Sequence, residues 1–88
     1  MNIIYKFQLE IGKDTAIELP VGSKILCFKI QNEIHCIWIL LDKDRPKSVS
    51  KIFTIIGTGW DIENPLEYDY VGTDFSEGGY VWHCFETI

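Results

Sequence analysis

Apolar and polar residues alternate with a period of two along most of the chain. Ile3, Tyr5, Phe7 and Leu9 fall on one side of a first segment, with Lys6 and Gln8 on the other. That period matches a β-strand, whose successive side chains point to opposite faces. Thr15, Ile17 and Leu19 alternate against Ala16 and Glu18, and Pro20-Val21-Gly22-Ser23 reads as a turn. Leu26, Phe28 and Ile30 alternate with Cys27, Lys29 and Gln31. Asn32-Glu33 then reads as a tight hairpin turn, because Asn tolerates positive φ, although Glu33 is a poorer second residue than Gly. Residues Ile34 to Leu41 are apolar at nearly every position, which predicts a strand covered on both faces. Asp42 to Ser48 is a charged loop, and Lys51 to Ile56 is a β-branched run. Tyr68 to Phe75 and Tyr80 to Phe85 complete the set, joined by Ser76-Glu77-Gly78-Gly79.

No segment carries the i, i+3, i+4, i+7 spacing of an amphipathic helix. Short strands punctuated by turn signals predict one all-β domain over residues 1–88, a small sandwich or barrel of six or seven mainly antiparallel strands. If Asn32-Glu33 forms a two-residue turn, Cys27 lies opposite Trp38 and Cys36 opposite Lys29.

The stretch Ile55 to Pro65, "IIGTGWDIENP", invites a phosphate-binding reading. It fails on particulars. A dinucleotide fingerprint needs a third glycine opening a helix, and a P-loop needs a lysine. Here Asp61 and Glu63 would repel a phosphate, and Asn64-Pro65 opposes a helix start, since a residue before proline avoids the α region. The glycines instead predict a bulge or sharp bend at the strand end. The loop Thr58 to Glu67 that follows carries Trp60, either as a partner anchor or as a lid folded onto the barrel end. "IIGTG" and "YVGTD" echo one another but are too short to count as a repeat.

Charge adds a second asymmetry. The net charge is −5, yet all eight Lys and Arg lie at or before Lys51, and every charged residue after it is a carboxylate. Binding to nucleic acid requires clustered cations against phosphates, so no direct nucleic-acid partner is expected. An acidic half suits a basic protein surface, or simply keeps the protein soluble. The first residues lack the pattern of a signal peptide, and the longest apolar run, Ile37 to Leu41, is too short to span a membrane. The expectation is a cytoplasmic protein with no membrane partner.

Three cysteines, Cys27, Cys36 and Cys84, form no Cys-x-x-Cys motif, and their odd number points to free thiols. His35-Cys36 and His83-Cys84 are adjacent pairs on strands, so each pair offers only one member to a given face. Their spacing matches no metal motif, and a catalytic pair would need Cys84 opposite His35 or Cys36 opposite His83. Free cysteines in apolar strands usually pack as small hydrophobes. No metal, no cofactor and no enzymatic activity are expected. "GGYVWHCFE" is aromatic or apolar on both sides, as in a central strand or a homodimer interface.

Taken together, "IYKFQL", "IELPVGSKIL", "QNEIHCIWILLD", "FTIIGTGWDI", "YVGT" and "GGYVWHCFE" resemble a family of short phage and prophage proteins grouped under a domain of unknown function. The resemblance spans nearly the whole chain and implies a mobile-element setting, in which small acidic proteins often inhibit host machinery. The leading expectation is a non-enzymatic inhibitor or modulator of a host defence protein, such as a nuclease or CRISPR effector, acting in the host cytoplasm. Its binding surface would comprise Trp60, Asp61, Glu63, Glu67, Asp69 and Asp74. A second reading is a protein that sequesters a small nucleotide signal at an oligomer interface, stacking it on Trp60, Tyr68 or Tyr70 and holding phosphate with Lys51 or Arg45. A third is a minor structural protein of a phage.

Overall fold

A computed structural model describes all residues, 1–88. Seven strands form two antiparallel sheets: β1 (Asn2–Gln8), β2 (Thr15–Leu19), β3 (Lys24–Gln31), β4 (Ile34–Asp42), β5 (Val49–Gly57), β6 (Tyr68–Phe75) and β7 (Val81–Thr87). One sheet has the order β1-β4-β3 and the other β2-β5-β7-β6. The two pack face to face as a sandwich. Leu19, Phe28, Ile37, Ile39, Phe53 and Cys84 fill the space between them, each with its side chain almost fully buried. Each buried Leu, Ile or Phe side chain among them contributes about 1.5–3 kcal/mol.

The β3–β4 hairpin follows the expected register. Asn32 and Glu33 have φ of 52° and 63°, the signature of a type I′ turn. Cys27 pairs with Trp38 and Cys36 with Lys29, as expected. Glu33 takes a backbone conformation that favours glycine, at a cost of roughly 1 kcal/mol. Its carboxylate accepts the Glu77 N–H of the β6–β7 turn at 3.1 Å, which offsets part of that cost.

Two β-bulges shift the simple alternation. The β3–β4 register slips between Ile25 and Cys27, so Ile25 turns toward the core. Leu26, expected to share a face with Phe28 and Ile30, is instead 47% exposed. A second bulge lies between Tyr70 and Gly72, and it turns Val71 inward. An extra residue in one strand reverses the facing of everything on one side of it.

Strand β4 was expected to be covered on both faces. Its inward residues Ile37, Ile39 and Leu41 are buried as predicted. No third layer covers the outer face. Lys6 Nζ instead donates to Gln31 Oε1 at 2.9 Å, joining the two strands that flank β4. Cys36, which pairs with Gln8 and Lys29 on those strands, is 2% exposed. Strand β7 is central in its sheet, flanked by β5 and β6.

The sandwich is sutured along one side only. There β3 packs against β6, and Asp74 Oδ2 accepts the Ile30 N–H at 2.9 Å. Along the other side the edge strands β1 and β2 belong to different sheets and do not pair.

Candidate binding site

Strand β5 ends at Gly57, and the chain reverses at once. Trp60 N–H donates to the Gly57 carbonyl at 3.0 Å, with Gly59 at φ 90° in the third position of the turn. A non-glycine residue is strained at that φ. Gly57 is required for another reason. A Cβ there would lie 2.9 Å from the Trp60 ring and 3.2 Å from Trp82. The bend expected from Gly57-Thr58-Gly59 is therefore present, and it lays an indole ring over a bare backbone.

The following segment runs from β5 to β6, which are parallel to each other and lie on either side of β7. It therefore crosses β7. Ile62 joins His83 and Phe85, on the outward-facing register of β7, in lining a shallow cleft of about 300 Å³. The crossover ends in a single 3₁₀ turn, Pro65–Glu67. No helix start was expected across Asn64-Pro65. Asn64 is indeed extended, but as an N-cap, accepting the Leu66 N–H through Oδ1 at 3.2 Å. Proline occupies the first position, where its missing N–H costs nothing.

Trp60 is an exposed ring of an aromatic chain that leads into the core. It meets Trp82 edge-on at 5.5 Å, and Trp82 meets His35 at 5.5 Å and Tyr80 at 6.4 Å. His35 in turn lies 5.8 Å from the buried Phe28 ring. Each aromatic pair adds about 0.5–1.5 kcal/mol beyond area burial. Trp60 is 50% exposed and Tyr80 69%. Trp60 is thus neither a closed lid nor a free side chain, with one part packed and the other in solvent. Burial lowers the pKa of His35, and its Nδ1 has no hydrogen-bond partner, so the ring sits neutral beneath Trp82.

The outer face of the same sheet carries a hydrogen-bond chain. His83 Nε2 lies 2.7 Å from Thr58 Oγ1, and His83 Nδ1 lies 2.9 Å from Thr73 Oγ1. Thr73 Oγ1 is in turn 2.7 Å from the Tyr70 hydroxyl. The two threonines are those of the echoed "IIGTG" and "YVGTD", one on each side of β7. In a neutral imidazole one nitrogen donates and the other accepts, so the two hydroxyls fix the ring plane. No carboxylate joins the chain. It ends at Tyr70, which is 63% exposed and presents a phenol to solvent.

The six residues proposed from sequence do not converge. Trp60, Asp61, Glu63 and Glu67 are exposed along the crossover. Asp69 and Asp74 sit five positions apart on β6, about 16 Å along a strand. Asp69 pairs with Glu86, away from Trp60. Asp74 opposes Trp82 but turns to the other sheet, where the Ile30 N–H, with help from the Phe75 N–H, holds its carboxyl below the usual carboxylate range. Its structural role is to join the sheets. Glu86 is likewise occupied, by Lys51 at 2.8 Å.

Tyr80, Trp82, His83, Thr58 and Thr73 were not singled out in sequence as one cluster. Its local signals were the echoed Gly-Thr pairs and the aromatic stretch "GGYVWHCFE". Chemically, His35 faces inward and His83 outward on different sheets, and no three His, Cys, Asp or Glu side chains gather as a metal-ligand set. Burial pushes the Cys84 thiol up to about 12, which leaves it protonated and poorly nucleophilic at neutral pH.

No curated protein and no solved structure matches the chain. One family model does, the domain of unknown function DUF7352, over residues 1–88, and the chain belongs to that family.

Proposed function

We propose that the protein is a non-catalytic binding protein that docks a partner protein through the aromatic end of the sandwich. The observation that carries this reading is the posture of Trp60. The ring is pinned against Gly57 and Trp82 yet half exposed, and with Tyr80 it lines a cleft of about 290 Å³. Large aromatic side chains are enriched among interface anchors, and a pre-organised one loses little conformational entropy when it binds. Asp61 and Glu63 follow directly on the crossover, and neither makes an ion pair. They favour a partner with basic groups around an apolar pocket. Inhibition or modulation of a host defence protein by a phage-encoded chain is the narrower form of this reading. It draws on the sequence resemblance together with this anchor.

The test is capture from a bacterial lysate with wild-type protein, Trp60→Ala, Tyr80→Ala and the pair Asp61→Lys with Glu63→Lys, followed by titration of the captured protein. A partner that binds the wild type and loses about tenfold or more in affinity with Trp60→Ala supports the proposal. Equal affinity for the wild type and all three variants, with each variant folded by circular dichroism, refutes it.

A further inference from the structure

The unsutured side of the sandwich bears a second site, at the opposite end from Trp60. Tyr5 and Phe7 stand on β1 in the inward register, opposite Ile39 and Ile37. Because β1 and β2 do not pair, nothing closes over them there, and Tyr5 remains 43% exposed. The two rings meet edge to face at 6.5 Å. They form one wall of a cleft of about 240 Å³.

The other wall is the β4–β5 loop. Lys43, Arg45 and Lys47, alternate residues of "DKDRPKS", all line the same cleft. The loop's own carboxylates are drawn mainly to the chain's amino terminus, and one of them also pairs with Arg45. Asp42 and Asp44 each lie 3.0 Å from the Met1 ammonium, and Asp42 also lies 3.5 Å from Arg45 Nε. Neither Lys43 nor Lys47 forms an ion pair. Three of the eight cations in an acidic protein thus gather at one opening, with Glu18 of β2 as the only carboxylate lining it.

We propose that this cleft binds a free nucleotide, with the base against Tyr5 and Phe7 and the phosphates on Lys43, Arg45 and Lys47. A planar ring matches the aromatic wall. A phosphate matches a guanidinium flanked by two ammonium groups, through charge-assisted hydrogen bonds. Glu18 disfavours a bare polyanion filling the cleft and offers an acceptor to an amino group or a sugar hydroxyl. The volume lies below the roughly 300–1,000 Å³ of an enclosing small-molecule site, so part of the ligand stays in water and the affinity is modest. This site is independent of the aromatic end and does not rest on the partner-docking proposal.

The test is isothermal titration of the full chain with AMP, ATP, sodium pyrophosphate and a twelve-nucleotide oligothymidine. Saturable binding of ATP at one per chain is expected, weakening as salt is raised. AMP should bind more weakly, having fewer charges. Arg45→Ala, and the pair Lys43→Ser with Lys47→Ser, should each weaken ATP binding about tenfold or more. Tyr5→Ala should weaken ATP and leave pyrophosphate unchanged, and Trp60→Ala should change neither. The absence of saturable ATP binding overturns the proposal. So does pyrophosphate binding as tightly as ATP with Tyr5→Ala without effect, which reveals an unspecific anion patch. Tighter binding of the oligothymidine than of ATP also overturns it, because the ligand is then a nucleic-acid strand.

Discussion

The carboxylate of Asp74 on β6 accepts the main-chain N–H of Ile30 on β3 at 2.9 Å, stitching one sheet of the sandwich to the other. A hydrogen bond to a charged group contributes about 1.5–3 kcal/mol. Asp74→Ala should therefore destabilise the domain by about 2 kcal/mol, and in a domain of this size each kcal/mol lowers Tm by roughly 4–8 °C. The change is checked by thermal unfolding. The depressed Asp74 pKa sets a sign with pH. Its stabilisation is fully present above the unfolded pKa of about 3.9 and is lost as pH falls through the lower folded value. The Asp74→Ala difference should thus shrink in acid below about pH 4, and a constant difference from pH 7 to pH 2 would contradict the assignment.

His35 supplies a second pH dependence at a higher range. Burial lowers its folded pKa, so the unfolded chain takes up a proton first. Stability should be full above about 6.5, the unfolded value, and decline as pH falls below it toward the folded value. Denaturant midpoints between pH 7.5 and 5 measure this. His35→Phe should flatten that part of the profile, leaving the acid limb of Asp74.

Gly57→Ala tests the seat of Trp60. The added methyl would sit 2.9 Å from the indole, too close to be accommodated without movement. The ring should swing off Trp82, and the tryptophan emission should shift to longer wavelength, with a stability loss of about 1–3 kcal/mol from overpacking. An unchanged emission spectrum would show that Trp60 does not rest where the geometry puts it.

The thiols should react in two classes. Cys36 and Cys84 are buried, and burial pushes the Cys84 thiol up to about 12. Under native conditions a thiol reagent near neutral pH should modify Cys27 first, since it is partly exposed, and the other two only after unfolding. Rapid modification of Cys84 in the folded protein would contradict the core packing.

Strand existence and type were legible in the chain because half-buried strands impose a period of two on their own residues. The β3–β4 register was also legible, because a two-residue turn leaves only one way to pair the strands on either side of it. Leu26 was misplaced because a bulge has no strong local signature when no glycine marks it. A bulge belongs to the pairing of two strands, which local sequence does not encode. The covering of β4 by Lys6 and Gln31 escaped for the same reason, since long polar side chains meet only once three strands are aligned.

By itself, the sequence determined the all-β class, the hairpin turn at Asn32-Glu33 and the sharp bend at Gly57 to Gly59, because each depends on near neighbours. Tertiary structure alone decided which residues act together. It brought Thr58 and Thr73, fifteen positions apart in sequence, onto opposite sides of one imidazole. It turned Asp74 away from the acidic surface and into a bond with the other sheet. It also gathered Lys43, Arg45 and Lys47 beside Tyr5 and Phe7 by leaving β1 and β2 unpaired. Such groupings follow from strand order and facing, which are set by how two sheets bury a shared core and not by any contiguous stretch of the chain.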